Sequence, residues 1–120
     1  MKNAIHWFEI PTTDLPRASA FYEAVLGLSL KQEDFGGTPM AIFPADEEGV
    51  TGALVLDARR APNAQGALLY LDATGKLDEC LARVAGARGE VVLPRTAIGP
   101  QGFIAIVRDT EGNHVGLHAP

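Results

Sequence analysis

Apolar residues recur at helical spacing in two stretches of this chain and at strand spacing in eight others. Between residues 14 and 27 they fall at Ala18, Phe21, Tyr22, Val25 and Leu26, one stripe of a 3.6-residue period. Pro16 stands in the first turn, where a missing amide hydrogen costs nothing, and Gly27 supplies the stop. The stripe then returns 59 residues later as Leu77, Cys80, Leu81, Val84 and Ala85, again closed by a glycine, Gly86. Thr74 is the expected N-cap of this second helix, with Asp78 and Glu79 well placed in its first turn. Strands are expected over residues 5–10, 28–33, 40–44 and 51–56 in the first half, and over 67–72, 90–93, 103–108 and 114–118 in the second.

Gly36-Gly37 and Gly99-Pro100-Gln101-Gly102 mark turns between strands. The turn Asp46-Glu47-Glu48-Gly49 is repeated as Asp109-Thr110-Glu111-Gly112, at an offset of 63. The chain is thus written twice as β-α-β-β-β, with module one at about residues 1–58 and module two at about 64–120. One helix and four strands make a marginal core, so the two modules are expected to share one and form a single domain. The predicted fold is α+β: one curved, mostly antiparallel eight-stranded sheet around a trough, with the helices outside. The concave side of such a sheet is a natural small-molecule site.

Composition narrows the partners. Ten Lys and Arg against fifteen Asp and Glu give a net charge of -5, and no basic cluster is richer than Arg59-Arg60, which argues against nucleic acid. No apolar stretch approaches the ~20 residues that cross a bilayer, and the start MKNAIHWFEIP lacks an apolar run of signal-peptide length. The single cysteine, Cys80, permits no internal disulfide and suits a reducing, cytoplasmic setting.

The run Asp14-Leu-Pro-Arg-Ala-Ser-Ala-Phe-Tyr22 with Val25-Leu-Gly27 resembles the first-helix signature of the vicinal oxygen chelate superfamily, which includes glyoxalase I, bleomycin-resistance proteins and extradiol dioxygenases. Phe103-Ile-Ala-Ile-Val-Arg-Asp-Thr-Glu-Gly-Asn113, followed by Val115-Gly-Leu-His118, is similar to its closing signature. The opening Trp7-Phe-Glu-Ile-Pro11 resembles a subgroup of predicted enzymes related to lactoylglutathione lyase. The resemblance implies a homodimer. It also implies, in metal-dependent members, a divalent ion that chelates two neighbouring substrate oxygens and acts as a Lewis acid. Matched onto this chain, the four ligand positions are Trp7, Ala53, Ala67 and Gly116. None of those side chains offers a lone pair suited to such an ion, so no metal and no other cofactor is expected.

What remains is an aromatic and three small residues where a cation would otherwise sit. The leading expectation is a small-molecule-binding protein whose ligand meets Trp7, Ala53, Ala67 and Gly116. Glu9 shares the Trp7 side of its strand and His114 the Gly116 side, which makes them the candidate acid–base groups. His6 has the opposite parity and is expected to face the helices. The alternatives are a metal-free lyase or isomerase using Glu9 or His114 for proton transfer, and a metal-dependent glyoxalase I-like lyase or dioxygenase. Glu9 has a plainer role as a solvated carboxylate or a partner of Arg108, and His114 and His118 as hydrogen-bonded wall or rim residues. Tyr22 and Cys80 read as core, and residues 109–113 as turn chemistry.

Overall fold

A computed structural model describes residues 3–120. Strand β1 (Trp7–Pro11) leads through Asp14 into α1 (Leu15–Leu26), followed by β2 (Lys31–Phe35), β3 (Thr38–Ile42) and β4 (Thr51–Val55). The second module repeats this order as β5 (Tyr70–Asp72), α2 (Leu77–Arg83), β6 (Glu90–Ala97), β7 (Phe103–Arg108) and β8 (His114–Ala119). The strands hydrogen-bond as two open four-stranded sheets, ordered β1-β4-β3-β2 and β5-β8-β7-β6, and not as one continuous eight-stranded sheet. In each sheet the first strand runs parallel to the last of its module, and the other pairs are antiparallel.

Local chemistry sets the element ends. The Asp14 side chain accepts from the Arg17 amide at 3.0 Å, and Gly27 ends α1 in the left-handed region at φ 66°. The β2–β3 hairpin turns on Gly36 and Gly37, both at positive φ, as a two-residue turn of this hand requires. Several expected boundaries move. β2 starts three residues late because Leu28 and Leu30 donate back to the carbonyl and carboxylate of Glu23. β6 runs on to Ala97 through two register shifts, since an edge strand tolerates Pro94. Helix α2 is shorter than its stripe, ending at Arg83 rather than near Gly86. Thr74 is not its N-cap: the Thr74 amide and hydroxyl donate to Asp72 at the end of β5, and Lys76 holds the cap position without a side-chain bond. His6 lies in an exposed bend before β1 and faces no helix.

One buried cluster draws on both modules, from Ile10, Phe21, Tyr22 and Leu54 to Cys80, Val84, Val107 and Leu117. α1 packs on β3 and β4, α2 on β6 and β8, and the two helices touch. Module two also grips α1 at both ends. At its N-terminus Glu111 accepts from the Thr13 and Asp14 amides (2.9 and 3.0 Å) and from the Arg17 guanidinium (2.7 Å). At its C-terminus Lys76 and Arg83 donate to the carbonyls of Leu26 and Val25. A carboxylate at the positive end of a helix and cations at the negative end are the favourable pairing.

Candidate functional site

The lone register shift of a strand by one residue would reverse every side chain, so the pairing decides what faces what. Trp7 stands opposite Thr51 and Glu9 opposite Ala53, which places Trp7, Glu9 and Ala53 on one face of the first sheet. Gly116 pairs with Tyr70 and Ile106, and His114 with Arg108, on the corresponding face of the second.

Backbone parity shows which groups are left at the edges. Thr12 donates its amide to Val55 of β4, so the even-numbered residues of β1 bond β4 and the odd-numbered ones point the other way. The Pro11 carbonyl confirms this by accepting from the Asn113 side-chain Nδ2 at 2.8 Å. Glu9 therefore turns both its N–H and its C=O to the free edge of β1. In β8 the Gly116 amide reaches Leu69, which puts the amide and carbonyl of His114 on the β5 side, ahead of the point where β5 begins.

A cavity of about 380 Å3 lies where these two edges approach. β1 contributes residues Phe8, Glu9, Ile10 and Pro11, and β8 with its preceding turn contributes Asn113, His114 and Val115. The third wall is the connection between the modules, which lends every second residue: Ala61, Asn63, Gln65, Ala67 and Leu69. The connection bends at residues 64–66, where Gly66 takes φ 96° and the Gln65 amide donates to the Asn63 side chain. The strap is tied down at Asn63, whose amide donates to Asn113 Oδ1 at 3.0 Å, and at Leu69, whose carbonyl accepts from Gly116.

Glu9, His114 and Ala67, from three distant parts of the sequence, meet in this cavity. Ala67 does so from the exposed strap and not from a strand, because β5 is only three residues long. Trp7 stands beside it, its indole N–H donating to Glu9 Oε2 at 3.1 Å. Glu9 is exposed and among the described residues has no ion pair, so the expected solvated carboxylate stands, with the indole in place of the Arg108 partnership. Ala53 and Gly116 do not line the cavity. Ala53 is wholly buried, and Gly116 lies under the Tyr70 ring, whose Cδ1 is 2.3 Å from where a Cβ would stand. His118 Nε2 meets the Gln101 carbonyl at 2.7 Å, a rim contact.

Asn63, Gln65 and Asn113 join the site without a sequence signal, because a long-range tether and a bend, not a strand period, bring them to it. The turn before β8 also does more than turn. Its Asp109 accepts from the Tyr22 hydroxyl at 2.6 Å and from the Asn113 side chain at 3.0 Å. Burial first, and then the Asp109 charge, hold the Tyr22 phenol protonated far above its ordinary range. At Glu111 burial pushes the carboxyl up, but bonds from Arg17, Thr13, Thr110 and Asp14 outweigh it and bring the pKa to about 2. Cys80 is fully buried, and burial raises its thiol, so it is a core residue without nucleophilic character.

A divalent ion of the kind the resemblance implies does not fit these residues. Trp7, Ala53, Ala67 and Gly116 offer no donor, the Tyr70 ring occupies the space above Gly116, and no three His, Cys, Asp or Glu side chains converge among the described residues.

Comparisons with known proteins agree with this architecture. Among curated proteins none matches the sequence. A glyoxalase/bleomycin resistance protein from Albidiferax ferrireducens superposes with a TM-score of 0.75 at 18% identity, covering 98% of this chain and 99% of that one. A glyoxalase-related enzyme from Fulvimarina pelagi gives 0.71 at 15% identity, over 100% and 89% of the two chains. A glyoxalase I variant from Zea mays gives 0.72 at 21% identity, with 94% of this chain matching 45% of that longer one. At these identities the likeness is one of fold. The sequence profile of a protein family matches residues 4–117, nearly the whole chain, and on that ground the chain belongs to the glyoxalase/bleomycin resistance protein/dioxygenase superfamily.

Proposed function

We propose that this chain is a single-domain, small-molecule-binding member of its superfamily that works without the divalent ion, and that its ligand enters the crevice between β1 and β8. The observation that carries the reading is the cavity itself. Its volume, about 380 Å3, is that of a small-ligand site, and it combines apolar walls with the polar groups of Glu9, Asn63, Gln65, Asn113 and His114. Trp7 completes the mouth as an aromatic platform, and Ala53 and Gly116 support the two sheet faces from beneath. The glyoxalase and bleomycin-resistance names of its structural neighbours are in keeping with a compact organic ligand. A cytoplasmic homodimer accords with the reduced, buried Cys80 and with the exposed Phe35, Tyr70 and Val92, apolar surface that a second copy would cover.

A thermal-shift screen of small organic compounds tests the reading. Hits should lose their effect in Trp7→Ala and in Glu9→Gln. Identical responses of wild type and both variants to every hit would refute it.

A second reading is favoured by one fact, that Glu9 and His114 line the same cavity from facing strands. A metal-free lyase or isomerase could use the carboxylate to take a proton beside a carbonyl and the imidazole to return it. Glu9→Gln should then lower turnover by about 10²-fold or more.

A further inference from the structure

We propose that the ligand of this crevice is a small organic cation, a protonated amine or guanidinium, anchored on the Glu9 carboxylate. This deepens the reading of the crevice as the binding site and rests on it.

The argument is one of unmatched acceptors. Among the described residues that line the cavity there is neither lysine nor arginine, and Glu9 is the one acidic side chain. Of the two carboxylate oxygens, Oε2 takes the Trp7 indole N–H. Oε1 has no hydrogen-bond donor among the described residues. The carbonyl of Glu9 lies on the free edge of β1 and that of His114 on the side of β8 that the short β5 leaves uncovered, and both residues line the same space. Three oxygens thus face a ligand with no lysine or arginine among the described lining residues, and the one nitrogen base there is the His114 imidazole. A ligand carboxylate or phosphate would be set against the Glu9 charge with no lysine or arginine among the described lining residues to offset it, whereas an ammonium or guanidinium pairs with that charge and donates to all three oxygens.

Two further features point the same way. The Trp7 ring is held at the carboxylate by its own N–H and remains 42% exposed, so a cation seated on Oε1 gains an aromatic neighbour. The net charge of -5 draws cations toward the protein from a distance.

The test uses the full chain and four probes: benzylamine, agmatine, benzyl alcohol and benzoate. Trp7 is the only tryptophan, so its emission reports directly on what happens at Glu9. Both amines should shift that emission, and benzylamine should bind about ten- to a hundred-fold more tightly than benzyl alcohol, the worth of one charge-assisted hydrogen bond. Benzoate should not bind. Glu9→Gln should remove the preference for benzylamine while ligand-observed NMR still detects weak binding of both neutral and charged rings. Equal or tighter binding of benzyl alcohol or benzoate overturns the cation while leaving the crevice standing as the site. Ala67→Phe, which fills the crevice from its exposed strap and leaves Trp7 the only tryptophan, separates the two claims. If the amines bind that variant undiminished, the crevice is the wrong place and both readings fall. Silence from all four probes in the wild type overturns the proposal outright.

Discussion

Protonating Glu111 should loosen the hold of module two on α1, and the size of the effect can be worked out. The carboxyl titrates near 2 in the folded chain against an ordinary value of 4.5, a gap of about 2.5 units. At ~1.36 kcal/mol per unit the ceiling is ~3.4 kcal/mol. Its side chain is fully covered, but Arg17, its main partner, is 45% exposed and shares its charge with water, which brings the realistic figure to about 1–2 kcal/mol. The folded value lies below the unfolded one. The stabilisation is therefore complete above pH 4.5 and drains away as the pH falls toward 2, with roughly 60% gone at pH 3. Urea unfolding at pH 7 and pH 3 reads this out. Asp57 and Asp72 are also held below their usual range by bonds from Arg59 and Thr74, so the informative quantity is a difference between proteins. Glu111→Gln should be less stable at pH 7 and should lose about 1 kcal/mol less than wild type between the two pH values. An equal loss in both would mean that Glu111 is not the group whose charge the fold depends on.

Tyr22→Phe should cost about 1–2 kcal/mol in urea unfolding, because it strips a donor from the buried Asp109 while leaving the aromatic packing in place; no change would show that water replaces the hydroxyl. Gly52→Ala should be much the more damaging of two glycine substitutions in register-equivalent strands. Its Cβ would stand 2.2 Å from the Phe8 carbonyl oxygen, which is fixed in the sheet, whereas at Gly116 the obstacle is the half-exposed Tyr70 ring. We expect a loss of about 2–3 kcal/mol for the first and under half of that for the second, measured by thermal or urea melts, and equal losses would contradict the reasoning. Cys80 should resist a thiol reagent in the folded chain and react once urea has unfolded it; rapid labelling without urea would contradict its burial.

The repeat was the most legible feature of the sequence, and the reason is physical. Both helical stripes and both Asp-x-Glu-Gly turns carry local signals, in side-chain period and in turn geometry, that need no tertiary information. The order βαβββ twice over followed from them. What local text could not carry was competition for the same atoms. Thr74 has the chemistry of a cap, but Asp72 two residues earlier claims both its amide and its hydroxyl. Residues 28–30 have the composition of a strand, but Glu23 holds them against the end of α1. Glu111 looked like part of a turn because its partners, Thr13, Asp14 and Arg17, lie nearly a hundred residues away. The site was legible in part for the same reason. Strand alternation placed Glu9 beside Trp7, while the strap that brings Ala67 to them depends on a tether from Asn63 to Asn113 that no pattern announces.

The division into two sheets is what gives the crevice its chemistry. A continuous eight-stranded sheet would spend the amide and carbonyl of Glu9 on ladder bonds, and a longer β5 would do the same to those of His114, leaving only side chains to meet a ligand. The open first sheet leaves the Glu9 groups at its edge, the short β5 leaves those of His114 uncovered, and the strap crosses the gap anchored at Asn63 and Leu69. Backbone polar groups in such a place must find partners, in water or in whatever enters. The loss of lone pairs at Trp7, Ala53, Ala67 and Gly116 thus does not leave the protein without polar recognition. It moves that recognition from four side chains able to hold a cation of their own to a carboxylate and two strand edges, a set whose complement is a hydrogen-bond donor carried by the ligand.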